Sequence, residues 1–259
     1  MARQNFKLTV SYNGADFYGW QRQEKFVTAQ GMIEYCLEKF FGRKTLVKGA
    51  SRTDAGVHAY GQVCSFMSDT PVPPEGLKKI LNGLLPGGIR VVSVSAEHES
   101  FCARYNVREK FYRYVICDSS REYAFERDFC WQAGGRLDTE KMKELLPLFK
   151  GVKSYFSFSR ASNENKKYDR QINSIKISRK GRFIYLDFRG RSFLYNMIRK
   201  ITAVFVLYSR GEISYADIER MFAEQNRDIA RHIAPPGGLY LVKITYNKIA
   251  GNGGGETDE

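Results

Sequence analysis

The sequence predicts an α+β protein of two mixed domains with largely antiparallel sheets. Three observations carry this expectation. Stretches of period-two alternation and stretches of helical period occur in both halves of the chain. They do not follow the regular βαβ rhythm of a doubly wound parallel sheet. Residues 171–190, "QINSIKIS-RKGR-FIYLDFRG", read as two strands joined by a short polar turn, which makes an antiparallel pair. A chain of 259 residues is long enough for a sizeable core and for one or two domains.

The elements follow in order. "NFKLTVSY" alternates Phe6, Leu8, Val10 and Tyr12, the period of a half-buried strand. "TAQGMIEYCLEKFFG" puts Met32, Ile33, Cys36, Leu37, Phe40 and Phe41 on one helical stripe, with Gly42 as its stop. "TLVKGA" and "GQVCSFM" read as strands flanking a charged turn. "EGLKKILNGLL" reads as a second helix and "IRVVSVSA" as a strand. Residues 1–104 are expected to form a first domain on this pattern. Residues 105–247 are expected to form the second. It opens with "EKFYRYVICD", a strand with Tyr112, Tyr114 and Ile116 on one side. Asp138 is placed to cap the helix "DTEKMKELLPLFKG", which Pro147 should kink or end early. "SFLYNMIRKITAVFVLYSRG" reads as one long apolar helix, Ser214 as the cap of a shorter one, and "GLYLVKITY" as the last strand. The Gly-rich residues 248–259 are expected to be a disordered tail.

Composition narrows the function classes. Hydrophobic residues make up 43% and aromatics 14%, which excludes a disordered chain. No apolar run approaches the roughly 20 residues of a membrane span. The first residues lack the apolar core of a signal peptide, so a cytoplasmic protein is expected. The five cysteines are scattered, with no C-x-x-C, and give neither a zinc pattern nor a disulfide framework. Charge says more. The net is +13, and Lys150–Arg210 alone holds 15 Lys/Arg against three acids, interleaved with aromatics. That is the electrostatic footprint of a polyanion partner, most often nucleic acid.

One turn carries the chemistry. "SRTDAGVHAYGQV", residues 51–63, sets an Arg and an Asp at the tip between two strands. Ala55 and Gly56 let a backbone or a flat ligand approach. A carboxylate near a guanidinium stays ionised, which suits a charged nucleophile. The residues alone leave a second reading open: a turn aspartate bonded to its own backbone, with Arg52 in solvent. His58 reads as a local hydrogen-bond partner.

The same stretch resembles the signature of the TruA-type tRNA pseudouridine synthases, G-R-T-D-A-G-V-H-A followed by G-Q-V. Five more segments resemble that family in order: "FYGWQRQ" (17–23), "LNGLLPGGIRV" (81–91), "FCARYNVREKFYRYVI" (101–116), "FLYNMIRKI" (193–201) and "APPGGLYLVKITY" (234–246). The departures, Ser51 for Gly, Asn196 for His and Gly237 for His, remove no catalytic side chain. The resemblance implies two α+β domains around a basic cleft, the pseudouridine synthase fold. It implies isomerisation of uridine to pseudouridine at positions 38, 39 and 40 of the tRNA anticodon stem-loop. It implies a homodimer, with each tRNA touching both subunits, and no cofactor, no metal and no membrane. Residue by residue it implies Asp54 as nucleophile and Arg52 as holder of the flipped-out nucleotide or filler of its place. Tyr112 would stack on the uracil, Arg199 would keep Asp54 ionised, and Leu241 would line the base pocket. Chemistry on a base requires it out of the stack, with a flat partner and a plug, and Tyr112 and Arg52 are residues of those types. Two rivals compete with this expectation. One is a basic RNA binder without turnover. The other is a glycosidase pairing Asp54 with a second carboxylate, against which stands the lack of a second acid at matching positions.

Overall fold

The structure, a computed structural model, describes residues 3–160 and 167–247. The expected tail at 248–259 lies outside the described residues. The chain divides into two compact units. One holds the residues through Arg108 together with those from Lys243 onward; the other is Glu109–Val242. Both mix helices with antiparallel strands.

In the first unit, β1 (Gln4–Tyr12) runs between β3 (His58–Ser68) and β4 (Ile89–Glu97), antiparallel to both. The short β2 (Lys48–Gly49) pairs with β3. Phe6, Leu8, Val10 and Tyr12 are buried, as their alternation predicts. The ring of Phe6 stacks on Phe66 across the pair at 5.3 Å. Helix α1 (Ala29–Phe41) starts where the Thr28 side chain accepts the Gly31 N–H and stops at Gly42. Its stripe buries Ile33, Cys36 and Leu37. Helix α2 (Pro74–Leu84) is tied to β4 by Asn82, whose amide donates to the Val91 carbonyl and accepts its N–H at 2.9 and 2.8 Å.

In the second unit, β5 (Val107–Cys117), β9 (Phe183–Gly190), β8 (Asp169–Lys180) and β7 (Gly151–Ser154) form an antiparallel row. The hairpin read from 171–190 is β8–β9, with Lys180 opposite Phe183. The two-residue β6 (Trp131–Gln132) adds to the end of β5 in parallel. Helix α3 (Thr139–Glu144) is capped by Asp138, and Pro147 falls in the first turn of a separate short helix, α4 (Leu146–Phe149). Phe149, Phe158, Phe205 and Phe222 pack into one aromatic cluster at centroid distances of 4.9–5.4 Å. Helix α6 (Tyr215–Ala223) carries a full capping box between Ser214 and Asp217. Strand β10 (Leu239–Tyr246) closes the described chain.

Two expectations need correction. "TLVKGA" yields only Lys48–Gly49 as strand, so most of that segment is loop. The long helix expected from Ser192 begins at Met197 instead: α5 is Met197–Ser209. Asn196 takes φ 61°, a left-handed conformation that no α-helix interior accommodates and that Asn tolerates better than most residues. The periodicity of Phe193 and Leu194 matched a helix, but this residue breaks it.

Candidate active site

The Arg–Asp turn is held from several sides within the first unit. Its ends are fixed by the Ala50 N–H on the Val63 carbonyl (2.8 Å) and by Gln62 Nε2 on the Ser51 carbonyl (2.7 Å). The Asp54 carbonyl accepts the Val57 N–H at 3.1 Å, closing the tip. Thr53, between Arg52 and Asp54, is locked twice. Its carbonyl accepts the Trp20 N–H at 3.1 Å, and its hydroxyl shares a 2.7 Å hydrogen bond with the Tyr12 phenol. Two glycines let neighbouring backbone press on the turn. A Cβ at Gly19 would lie 2.6 Å from the Thr53 carbonyl oxygen, and one at Gly14 2.4 Å from the Val57 carbonyl. The Gly14 N–H donates to His58 Nδ1 at 3.0 Å, so His58 is the local partner its position suggested, and that nitrogen bears no proton. Asp54 is half-buried on this clamped tip, and Arg52 is exposed.

The "GWQRQ" segment in turn rests on α1. The Ala29 and Gln30 N–H groups at the start of the helix donate to the carbonyls of Gly19 and Trp20 at 3.1 and 3.0 Å. Such first-turn donors have no partner within their own helix. Glu34, buried one turn on, accepts from Gln30 Nε2 and from the Val47 N–H, both at 3.0 Å, and pairs with Arg22. Gln21 lies between Trp20 and Arg22, fixed on both sides, and its Oε1 accepts Arg52 Nε at 2.9 Å. Reading the sequence assigned no role to Gln21, Tyr12 or Thr53. The signal for Gln21 was its place in the second family segment; nothing local marks Tyr12 beyond its strand alternation.

In the second unit, Tyr112 and Tyr114 share the buried face of β5. The Tyr112 ring meets Phe193 edge-on, with centroids 5.4 Å apart and planes at 83°. That contact exists because Phe193 is outside α5. Arg199 sits in the first turn of α5. Its Nε donates to the Ala234 carbonyl at 2.7 Å and its Nη1 to Asn196 Oδ1 at 3.2 Å. The Ala234 N–H returns to the Arg199 carbonyl at 3.2 Å. The next residue, Pro235, accepts the Tyr114 hydroxyl at 2.6 Å. The "APPGG" segment is thereby tied to both α5 and β5. Burial pushes the Tyr114 phenol well above its ordinary range, and the Arg199 charge opposes that rise. Leu241, on β10, is completely buried.

Of the five residues singled out, Arg52 and Asp54 share the clamped turn of the first unit, and Tyr112, Arg199 and Leu241 belong to the second. Among the described residues no group of three or more His, Cys, Asp or Glu is placed to hold a metal. The cysteines are free, and all but Cys102 are buried. Among the described residues no helix is long and apolar enough to cross a membrane.

Comparison with known proteins places this arrangement. A family model described as tRNA pseudouridine synthase matches residues 8–106 and 147–247. A protein of Oceanobacillus iheyensis called tRNA pseudouridine synthase A is 35% identical over 251 residues, 96% of this chain and 99% of that one. Its namesake in Thermodesulfovibrio yellowstonii is 33% identical over 253 residues, 93% of this chain and 99% of that one. Bacillus anthracis has a tRNA pseudouridine synthase A 2 that is 34% identical over 243 residues, covering 93% and 99%. Among solved structures, a chain from the crystal structure of a Cbf5-Nop10-Gar1 complex aligns with a TM-score of 0.35 and 9% identity, over 76% of this chain and 44% of that one, too distant to bear on the argument. With the family model spanning the Arg–Asp turn, the arginine of α5 and the last strand, and with relatives alike from end to end, the chain belongs to the TruA-type tRNA pseudouridine synthase family.

Proposed function

We propose that this protein isomerises uridine to pseudouridine in tRNA, at positions 38, 39 and 40 of the anticodon stem-loop, with Asp54 as nucleophile. The observation that carries the reading is the presentation of Asp54 on a turn held by Tyr12, Gly14, Gly19, Trp20 and Gln62. A turn aspartate of no chemical use needs no such scaffold; a nucleophile that must meet one sugar or ring carbon does.

The reaction breaks the N1–C1′ bond and forms C5–C1′. A proton leaves C5, N1 gains one, and the product is an isomer of the substrate. The carboxylate attacks C1′, attacks C6 of the ring, or assists departure through a glycal; all three routes need it ionised, the part assigned to Arg199. Tyr112 stacks on the flipped-out uracil beside the C5 proton. Leu241 supplies an apolar wall, where electrostatic interactions are stronger than in water. Arg52 holds the extruded nucleotide or fills the gap it leaves. In this reading the domains are 1–104, carrying Asp54, and 105–247, carrying the basic RNA-binding surface, around a basic cleft. The enzyme is a cytoplasmic homodimer that works without cofactor or metal.

The test uses anticodon stem-loop tRNA containing uridine tritiated at C5. Wild type is expected to release tritium, with carbodiimide-blocked primer-extension stops at 38–40. Asp54→Asn is expected to keep the fold and tRNA affinity while turnover falls at least 10³-fold, roughly the loss seen when a catalytic group is removed. Substantial turnover by a pure Asp54→Asn preparation would remove Asp54 from its role. Tight binding without release by wild type would leave an RNA-binding module.

A further inference from the structure

Lys200 follows Arg199 on α5 but serves a different environment. It is 4% exposed, and its ammonium donates to the Ser157 carbonyl at 3.0 Å. Among the described residues that carbonyl is its one hydrogen-bond acceptor, and no carboxylate lies within ion-pair distance. An ammonium has three donors, and burying it with one acceptor and no counter-charge is costly. The turn that carries Ser157 gathers two more cations. The Arg227 guanidinium lies over the Phe156 ring at 4.1 Å and donates to the Tyr168 hydroxyl at 3.1 Å. Arg160, exposed, ends the same turn, its N–H on the Tyr195 carbonyl. Burial, then Arg227 and Arg160, push the Lys200 ammonium below its ordinary pKa, and Asp228 opposes them. The Lys200 ammonium and the Arg227 guanidinium therefore both lie against the turn at residues 156–160, which Arg160 ends, and Lys200 is buried where its field is weakly screened.

We infer that Lys200, Arg160 and Arg227 form a phosphate site, and that its occupant is a backbone phosphate of the RNA substrate. A bound dianion or phosphodiester supplies the ion-pair partner that Lys200 lacks among the described residues, with a guanidinium making charge-assisted hydrogen bonds and Lys200 acting from behind as a point charge. RNA rather than a free anion is indicated by the setting. The edge-on Phe156–Tyr168 pair lies against Arg227, and the whole site falls within or beside the stretch of net +12. The inference rests on the reading of this protein as one that acts on tRNA.

The test uses the full-length protein and anticodon stem-loop RNA, with Kd measured across a salt series. Lys200→Met removes the charge at similar length. It is expected to weaken binding about 5- to 10-fold near 0.1 M salt and to make the slope of log Kd on log salt shallower by about 0.7–0.9, one phosphate contact. Its Tm should stay level or rise, because a buried charge has gone. Arg160→Gln, at an exposed position, should show the same loss of slope if Lys200→Met fails to fold. Wild-type Kd and slope in both variants would overturn the assignment. A second arm uses inorganic phosphate against chloride at matched ionic strength. A phosphate-dependent rise in wild-type Tm that Lys200→Met lacks, with RNA affinity unchanged, would give the site to free phosphate and overturn the RNA occupant. If Asp54→Asn abolishes turnover while both Lys200→Met and Arg160→Gln bind RNA as wild type does, the enzymatic reading stands and this inference falls. If wild type binds no tRNA, the reading itself fails and the RNA occupant with it.

Discussion

Arg52 reaches Gln21 through Nε, at 2.9 Å, rather than through its terminal nitrogens. The fork that recognises phosphates or base edges is therefore not what the protein uses to hold this side chain. Gln21 is itself immobilised by its neighbours: the Trp20 carbonyl on α1, and Arg22 on Glu34. Gln21 thus orients Arg52 without touching the reacting atoms. Gln21→Met deletes the acceptor at nearly constant volume. It should lower kcat/KM for tritium release by about 3- to 10-fold, the worth of a hydrogen bond of about 0.5–1.5 kcal/mol. Gln21→Glu keeps an acceptor and should recover most of that loss. In an Arg52→Ala background Gln21→Met should do almost nothing further. Additive losses in that double-mutant cycle would show that Gln21 acts through something other than Arg52.

At the scale of the element, the start of α5 is the telling case. Asn196 in a left-handed conformation ends the approach to the helix, frees Phe193 to face Tyr112, and offers Oδ1 to Arg199. Asn196→Gly keeps the backbone conformation without strain and deletes only that acceptor. Turnover should drop severalfold while Tm moves by no more than a few degrees. A large fall in Tm would mean that Asn196 holds the element together rather than Arg199 in place. The same position shows what a sequence reveals and what it hides. Helix α1, the β8–β9 hairpin and the Ser214 cap were legible because caps, turns and hydrophobic period are local, set within a few residues. The start of α5 was misjudged because its apolar period runs on through Asn196, whose left-handed φ leaves no mark on the hydrophobic pattern. The pairs of β6 and β7 went unread because they are two and four residues long and exist only against a neighbouring strand. The motif on the Asp54 turn was legible through its resemblance to a family. Its clamp was not, since the bond of Tyr12 to Thr53 spans 41 residues and that of Gln21 to Arg52 spans 31.

For the molecule as a whole, the question is how much of its +13 charge is available to a polyanion. Within Lys150–Arg210, Arg179, Arg182, Arg189 and Arg210 are engaged in ion pairs with Asp118, Glu126, Glu109 and Glu212. These arginines are tied to the protein's own carboxylates and are poor candidates for phosphate contact. That leaves at most 11 of the 15 basic residues, and side chains on opposite faces of a strand or helix do not reach one RNA together. A tRNA complex should therefore use about five to eight of them. Each neutralised phosphate releases condensed counterions and contributes about 0.7–0.9 to the slope of log Kd on log salt, so the wild-type slope should fall near +4 to +7. Over a rise from 50 to 200 mM salt that is a loss of affinity of several hundred- to ten-thousandfold. Fluorescence polarisation with the anticodon stem-loop, repeated at four or five salt concentrations, reads the slope directly. A flat response would mean that this basic stretch does not face RNA, and that binding comes from stacking and shape alone. A slope steeper than about +10 would mean that even the internally paired arginines let go of their carboxylates for phosphate.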